Sequence, residues 1–143
     1  MTVHLLKLSV GAETIDDLRH WVEKRVSQNE KAGLGRVHDH VTRMHPRRED
    51  ELLNGGSIYW VIKGAIQVRQ SILGFEKRIG TDQITRTAIL LAPELHPTHF
   101  QNRRAFQGWR YLSPTDAPED LSNGQSQALP SELITELAAL GLL

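Results

Sequence analysis

The hydrophobic and polar positions change period several times along the chain, and each change predicts an element. Val3, Leu5 and Lys7 alternate with His4, Leu6 and Leu8, a period of two that predicts a strand. Ile15, Leu18, Trp21, Val22 and Val26 then recur at helical spacing, with Asp16, Arg19, Glu23 and Lys24 between them. Thr14 is placed to cap this helix, with Asp17 three residues on. The helical pattern fades at Ser27-Gln28-Asn29, and Gly33 and Gly35 mark a loop. Residues 36–44 alternate again and predict a second strand. Pro46 opens a short helix, Arg47 to Leu53, which Asn54-Gly55-Gly56 stops.

From there the pattern is mostly extended. Ser57 to Ile62 is rich in aromatic and β-branched residues, and Lys63-Gly64 is a tight turn or a glycine bulge. Ile66, Val68, Gln70 and Ile72 alternate with Gln67, Arg69 and Ser71, and Phe75 to Ile79 extends the pattern beyond a bend at Gly74. Ile84 to Leu91 predicts another strand, residues 93–104 a long irregular loop, and Phe106 to Leu112 a last strand. Residues 113–128 have the composition of a linker or surface loop. Leu133, Ile134, Leu137 and Leu140 give the following segment, from Ser131, an amphipathic helical stripe. The sum is an α+β fold of about six strands. Strands joined by short turns favour a mixed or antiparallel sheet, expected here to curl into a small barrel flanked by helices. The domain is expected over residues 1–121, with 122–143 as linker and C-terminal helix, a surface on which a protein partner could dock.

Composition narrows the class. A chain of 143 residues fits one domain, it has no cysteine, and no apolar run approaches the ~20 residues of a membrane helix. Disulfides and thiolate chemistry are excluded. The first residues lack a basic stretch followed by a long apolar one, so the expectation is a cytoplasmic protein with no signal peptide. The 17 Lys+Arg balance the 17 Asp+Glu, which excludes a globally basic nucleic-acid binder. The balance is uneven along the chain. Residues 36–111 carry 12 Lys+Arg against 7 Asp+Glu, or +5, and seven of the eight aromatic residues. The flanks supply the compensating −5.

Two groups of side chains carry candidate chemistry. His38 and His40 are two apart, so a strand would point both to one face; with His96 and His99 they make a candidate metal-ligand set for a small-barrel enzyme. The serines lack a nucleophile-elbow context, and the acidic clusters sit at helix starts where they are stabilising without catalysis. No phosphate-loop pattern is present, and nothing in the sequence calls for a cofactor. Arginines are better grouped. Arg43, Arg47 and Arg48 bracket the turn at Pro46, Arg103 and Arg104 precede the last predicted strand, Arg110 lies in it, and Lys63 and Arg69 sit between. A guanidinium binds phosphate as a planar fork, and aromatic faces such as Tyr59 and Trp109 can stack on unpaired bases.

Several stretches resemble a bacterial family of conserved proteins of unknown function. They are Thr42-Arg43-Met44 with Pro46-Arg47-Arg48, the run from Asn54 to Gly64, Ile66 to Gln70, and Arg103 to Leu112. The opening Met1 to Gly11 extends the resemblance over residues 1–121, and the tail from Ser122 has no counterpart in it. A weaker likeness is to PUA and ASCH-type domains, small barrels associated with RNA and modified nucleotides. It rests on Glu51 to Gly56 leading into the basic strand region Tyr59 to Arg69. The Gly-Lys-Lys-Thr-type strand opening of ASCH domains is absent. The resulting expectation is a non-catalytic RNA- or nucleotide-binding module, with the metal-dependent enzyme as its alternative.

Overall fold

A computed structural model describes residues 1–104 and 106–121. The elements are β1 (His4–Leu8), α1 (Ile15–Lys31), β2 (His38–Thr42), α2 (Glu49–Leu53), β3 (Ser57–Ile62), β4 (Ala65–Ile79), β5 (Thr85–Leu91), β6 (His96–Asn102) and β7 (Trp109–Leu112). The Thr14 side chain accepts the Asp17 N–H at 3.1 Å and so starts α1 as the sequence predicts. Thr14→Ala is therefore expected to lower stability by about 1 kcal/mol, read as a shift in the urea midpoint at unchanged m-value. The helix outlasts its apolar pattern and reaches Lys31. Buried Asn29 holds that last turn by donating to Val37 O at 2.9 Å and to Asp39 Oδ1 at 3.0 Å.

The strands form one mixed sheet in the order β2-β5-β4-β3-β1-β7, with β6 on β4 outside this path. Only the β1–β3 pairing among them is parallel. The 15-residue β4 organises the whole. One edge pairs with β3; the other takes β6 along Ala65–Arg69 and then β5 along Ile72–Ile79. The register shift between Ile72 and Gly74 is the bend expected at that glycine. Lys63 and Gly64, with φ of +49° and +79°, make the two-residue connection between β3 and β4.

The expected barrel does not close. Closure would require β2 to pair with β7, but among the described residues β2 pairs only with β5 and β7 only with β1. Side chains bridge that interval instead: Trp109 Nε1 donates to Met44 O at 3.0 Å, and Arg48 N donates to Tyr111 Oη at 3.1 Å. A four-residue β7 beside a connection containing Pro46, which has no N–H, offers no ladder to complete. The predicted loop 93–104 is also corrected, because it contains β6. That strand starts at His96, directly before Pro97; β4 is its ladder partner, and on its outer side Thr98 bridges Asp120 and Pro97 O accepts the Leu121 N–H. The last strand is shorter than expected and begins at Trp109 rather than Phe106. The segment predicted as a C-terminal helix lies outside the described residues.

Each face of the sheet is covered differently. Ile15, Leu18, Val22 and Val26 of α1 pack on Leu5, Ile58, Trp60, Ile62 and Val68. On the opposite face Leu6, Tyr59, Val61, Ile66 and Leu112 form a smaller cluster under Phe106 and Ala117. All six residues of β3 are buried, which explains why it reads as a continuous apolar run. Among the described residues no helix is long and apolar enough to cross a membrane.

Candidate functional site

Cross-strand register places one row of side chains on the face turned away from α1. Arg110 of β7 pairs with Leu6, Leu6 with Tyr59, Tyr59 with Arg69, and Arg69 with His96 of β6. Paired residues share a face, so Arg110 and Arg69 flank a buried tyrosine. At the Arg69 end lies an open cleft of about 410 Å³ lined by His4, Ser57, Tyr59, Arg69 and Asp120 among others. Arg69 grips Asp120 with both branches of its fork, at 2.8 and 2.7 Å, and donates a third bond to Ser57 Oγ at 3.0 Å. His4 Nδ1 accepts the Ser57 N–H at 3.0 Å, so the neutral ring carries its proton on Nε2. Burial, and secondarily Arg69, lower the His4 pKa. Burial raises that of Tyr59. The hydrogen bonds from Arg69 lower that of Asp120.

A second basic group gathers at the end of the sheet where β3 turns into β4. Chain direction brings the end of β6 and the start of β7 to that same end. Arg103 N donates to Gly64 O at 2.8 Å, which holds the end of β6 beside Lys63. Phe106 packs into the smaller cluster, and the Arg110 guanidinium lies 5.5 Å over its ring centroid. Arg103 donates to Gln101 Oε1, and Arg110 to the carbonyls of Gln107 and Trp109. Among the described residues neither these two nor exposed Arg104 has a carboxylate partner, while Lys63 has only Glu13 at 3.9 Å.

The ten candidate binding residues thus separate. Tyr59, Lys63, Arg69, Arg103, Arg104 and Arg110 lie along the far face and its end. Arg43, Arg47, Arg48 and Trp109 do not join them. Trp109 belongs to the α1-side core and holds the 43–48 connection, and Arg48 pairs with Glu51 and covers the Tyr111 ring. The histidines separate too. His38 packs on the α1 side against Gln70, whereas His96 shares the opposite face with Arg69. His99 donates its backbone N–H to Glu119 O and is exposed. Among the described residues no three His, Asp or Glu side chains are placed to share a metal ion. Sequence reasoning passed over His4, Ser57 and Asp120. The period of two did place His4 beside Leu6; nothing marked Asp120, 51 residues from its arginine.

The sequence profile of DUF1489, a family described as proteins of unknown function, matches residues 5–143. The chain belongs to DUF1489. The match includes the tail from Ser122, for which the motifs above had supplied no counterpart. Neither the curated proteins nor the solved structures contain a match to it. What this DUF1489 chain does must therefore be argued from its own side chains.

Proposed function

We propose that the protein is a non-catalytic binding module for RNA or a nucleotide, held at the end of the sheet by Lys63, Arg103, Arg104 and Arg110. One observation carries this reading: Arg103 is tied beside the β3–β4 turn, and neither it nor Arg104 nor Arg110 has a carboxylate partner among the described residues. Guanidinium groups left without a carboxylate are available to phosphate oxygens, for which their planar fork is suited. Arg69 contributes less in the form described, because Asp120 occupies its fork. The +5 balance of residues 36–111 supports the reading, and the neutral total limits it to one local surface.

Binding should be salt-sensitive. The double variant Arg103→Ala/Arg104→Ala is expected to weaken binding of a uridine oligomer at low salt by about tenfold or more. It should also make the slope of log K against log salt shallower by about 0.7 for each phosphate that is no longer neutralised. Fluorescence anisotropy across RNA, single-stranded DNA and free nucleotides checks this. Absence of binding to all three at low salt would remove the proposal.

A further inference from the structure

On the other side of the sheet α1 leaves a cleft of about 170 Å³ over the ends of β1 and β2, lined by Lys7, Trp21, His38, His40 and Trp60. Register explains why these side chains converge. Lys7 pairs with Trp60 across β1 and β3, and both face α1. His38 and His40, two apart on β2, reach the same side. The His40 ring meets Trp60 edge-on, with centroids 5.3 Å apart. Trp21, 47% exposed, lies against Gly11, where a Cβ would come within 3.0 Å of the indole. One indole is therefore fixed within the wall and the other stands at the mouth.

The polar atoms of this cleft are set for a ligand. Gln70 Oε1 accepts from Trp60 Nε1 at 2.9 Å, and the same amide donates to Ala92 O at 2.9 Å. That oxygen can only accept, so the His38 Nδ1 lying 3.3 Å from it carries the hydrogen, leaving Nε2 of the neutral ring as a bare acceptor. Among the described residues His40 Nε2 is buried with no hydrogen-bond partner. The charge around these atoms is one-sided. Lys7 is the cation of the lining, α1 contributes Leu18 and Trp21, and β3 contributes Trp60. Asp39, between the two histidines, is turned to Arg25, Asn29 and Arg78. No carboxylate is among the described residues that line the cleft.

We propose that this cleft binds a small planar organic anion, a single aromatic or heteroaromatic ring bearing a carboxylate. The ring lies against Trp60 and Trp21, and the carboxylate pairs with Lys7 Nζ. The volume is close to that of an apolar cavity of about 150 Å³ that accepts benzene, which limits the ligand to about one ring. Lys7, with no acid among the described lining residues, selects an anion over a neutral ring. This site is independent of the basic end of the sheet and lies on the opposite face.

Proton linkage supplies a signature. Burial lowers the pKa of Lys7, and also that of His38. Burial, then Lys7 and His38, bring His40 down to about 4. The nearby Asp39 opposes this at both histidines, and Arg25 reinforces it at His38. A bound carboxylate favours the protonated forms, so binding takes up protons and tightens as pH falls from 8 to 5. The limit is about tenfold per pH unit for each proton taken up.

The test is a titration with benzoate, followed by tryptophan fluorescence and calorimetry, with benzamide as the neutral comparison. Saturable benzoate binding is expected, at least tenfold tighter than benzamide and tighter at pH 6 than at pH 8. Lys7→Met is expected to weaken it tenfold or more. Trp21→Ala, at the exposed mouth, provides a second variant with the same expectation. Arg103→Ala/Arg104→Ala is expected to bind benzoate normally. Equal affinity for benzamide, no saturable benzoate binding by the wild type, or unchanged affinity in a folded Lys7→Met protein would each overturn the proposal.

Discussion

Replacing Asp39 with alanine is expected to cost the fold about 3 kcal/mol, the lower end of the range for removing one partner of a buried charge cluster. The Asp39 side chain is 0% exposed, and four donor groups converge on it. Arg25 supplies two bonds at 2.6 and 2.9 Å, Asn29 one at 3.0 Å, and Arg78 reaches the same carboxylate from β4. Together they tie α1, β2 and β4 at the edge of the sheet. The estimate stays near the lower end because Arg25 and Arg78 are 44% and 30% exposed and can turn to water once their partner is gone. Urea denaturation of Asp39→Ala at pH 7 measures the loss. A change under 1 kcal/mol would show that the cluster is worth no more than an exposed ion pair.

Acid should act on the same cluster. Burial alone would raise the Asp39 pKa, but the bonds from Arg25, Asn29 and Arg78 outweigh it and hold the carboxyl well below its ordinary range. The folded-state value is therefore depressed. Its stabilisation is complete above the unfolded value of about 4 and is lost as pH falls from there towards the folded value. Asp39→Asn should accordingly be less stable at pH 7 but lose less than the wild type below pH 4. His40 has its own window: its lowered value penalises folding as pH falls from about 6.5 to about 4. Stability curves from pH 3 to 7 separate the two groups.

The buried ion cluster also shows where sequence stops being informative. Asp39 reads as the polar residue between two histidines, and its partners lie 14 residues before it and 39 after it. Local chemistry was legible. Thr14 caps α1, β3 spans the predicted Ser57–Ile62, and Lys63-Gly64 turns the chain into β4. These features depend on near neighbours and on backbone angles that particular residues favour. Register was not legible. Val61 pairs with Ile66 and Trp60 with Val68, so Gln67 is an extra residue whose side chain bonds Ile62 O. That bulge sets which residues of β4 face Tyr59, and hence that Arg69 stands in one row with Arg110. The missed β6 had a similar cause: Pro97 and two histidines mask a strand that exists because β4 offers it an edge. With β6 on that edge and a short β7 at the far end, the sheet stays open where a barrel was expected. The candidate residues were grouped by type along the chain, and the fold regrouped them by face.

Gly56→Ala is expected to cost about 3 kcal/mol or more, at or beyond the usual upper end for overpacking. A Cβ at this position would lie 2.3 Å from Leu52 O and 2.6 Å from Val3 O, both backbone atoms. Neither can swing aside as a flexible side chain would. Three elements meet here. Gly56 N donates to Leu52 O at the end of α2, Val3 N donates to Glu51 O, and Ile72 N of β4 donates to Gly56 O. Relieving the clash must part at least one of these hydrogen bonds. The preceding glycine is the informative comparison. Gly55 has φ of +81° and open space around it, so Gly55→Ala should cost only the left-handed backbone penalty of about 1–2 kcal/mol. The sequence suggested one role for both, the stop of a short helix, whereas the structure separates a conformational requirement from a steric one. Ser57 follows directly, and its backbone and hydroxyl hold His4 and Arg69. Parting the neighbouring bonds in Gly56→Ala should therefore disturb the Arg69 cleft before global unfolding, seen as a larger change in the His4 ring resonances than Gly55→Ala produces. If the two alanine variants prove equally stable, close backbone approach is not what requires glycine at position 56.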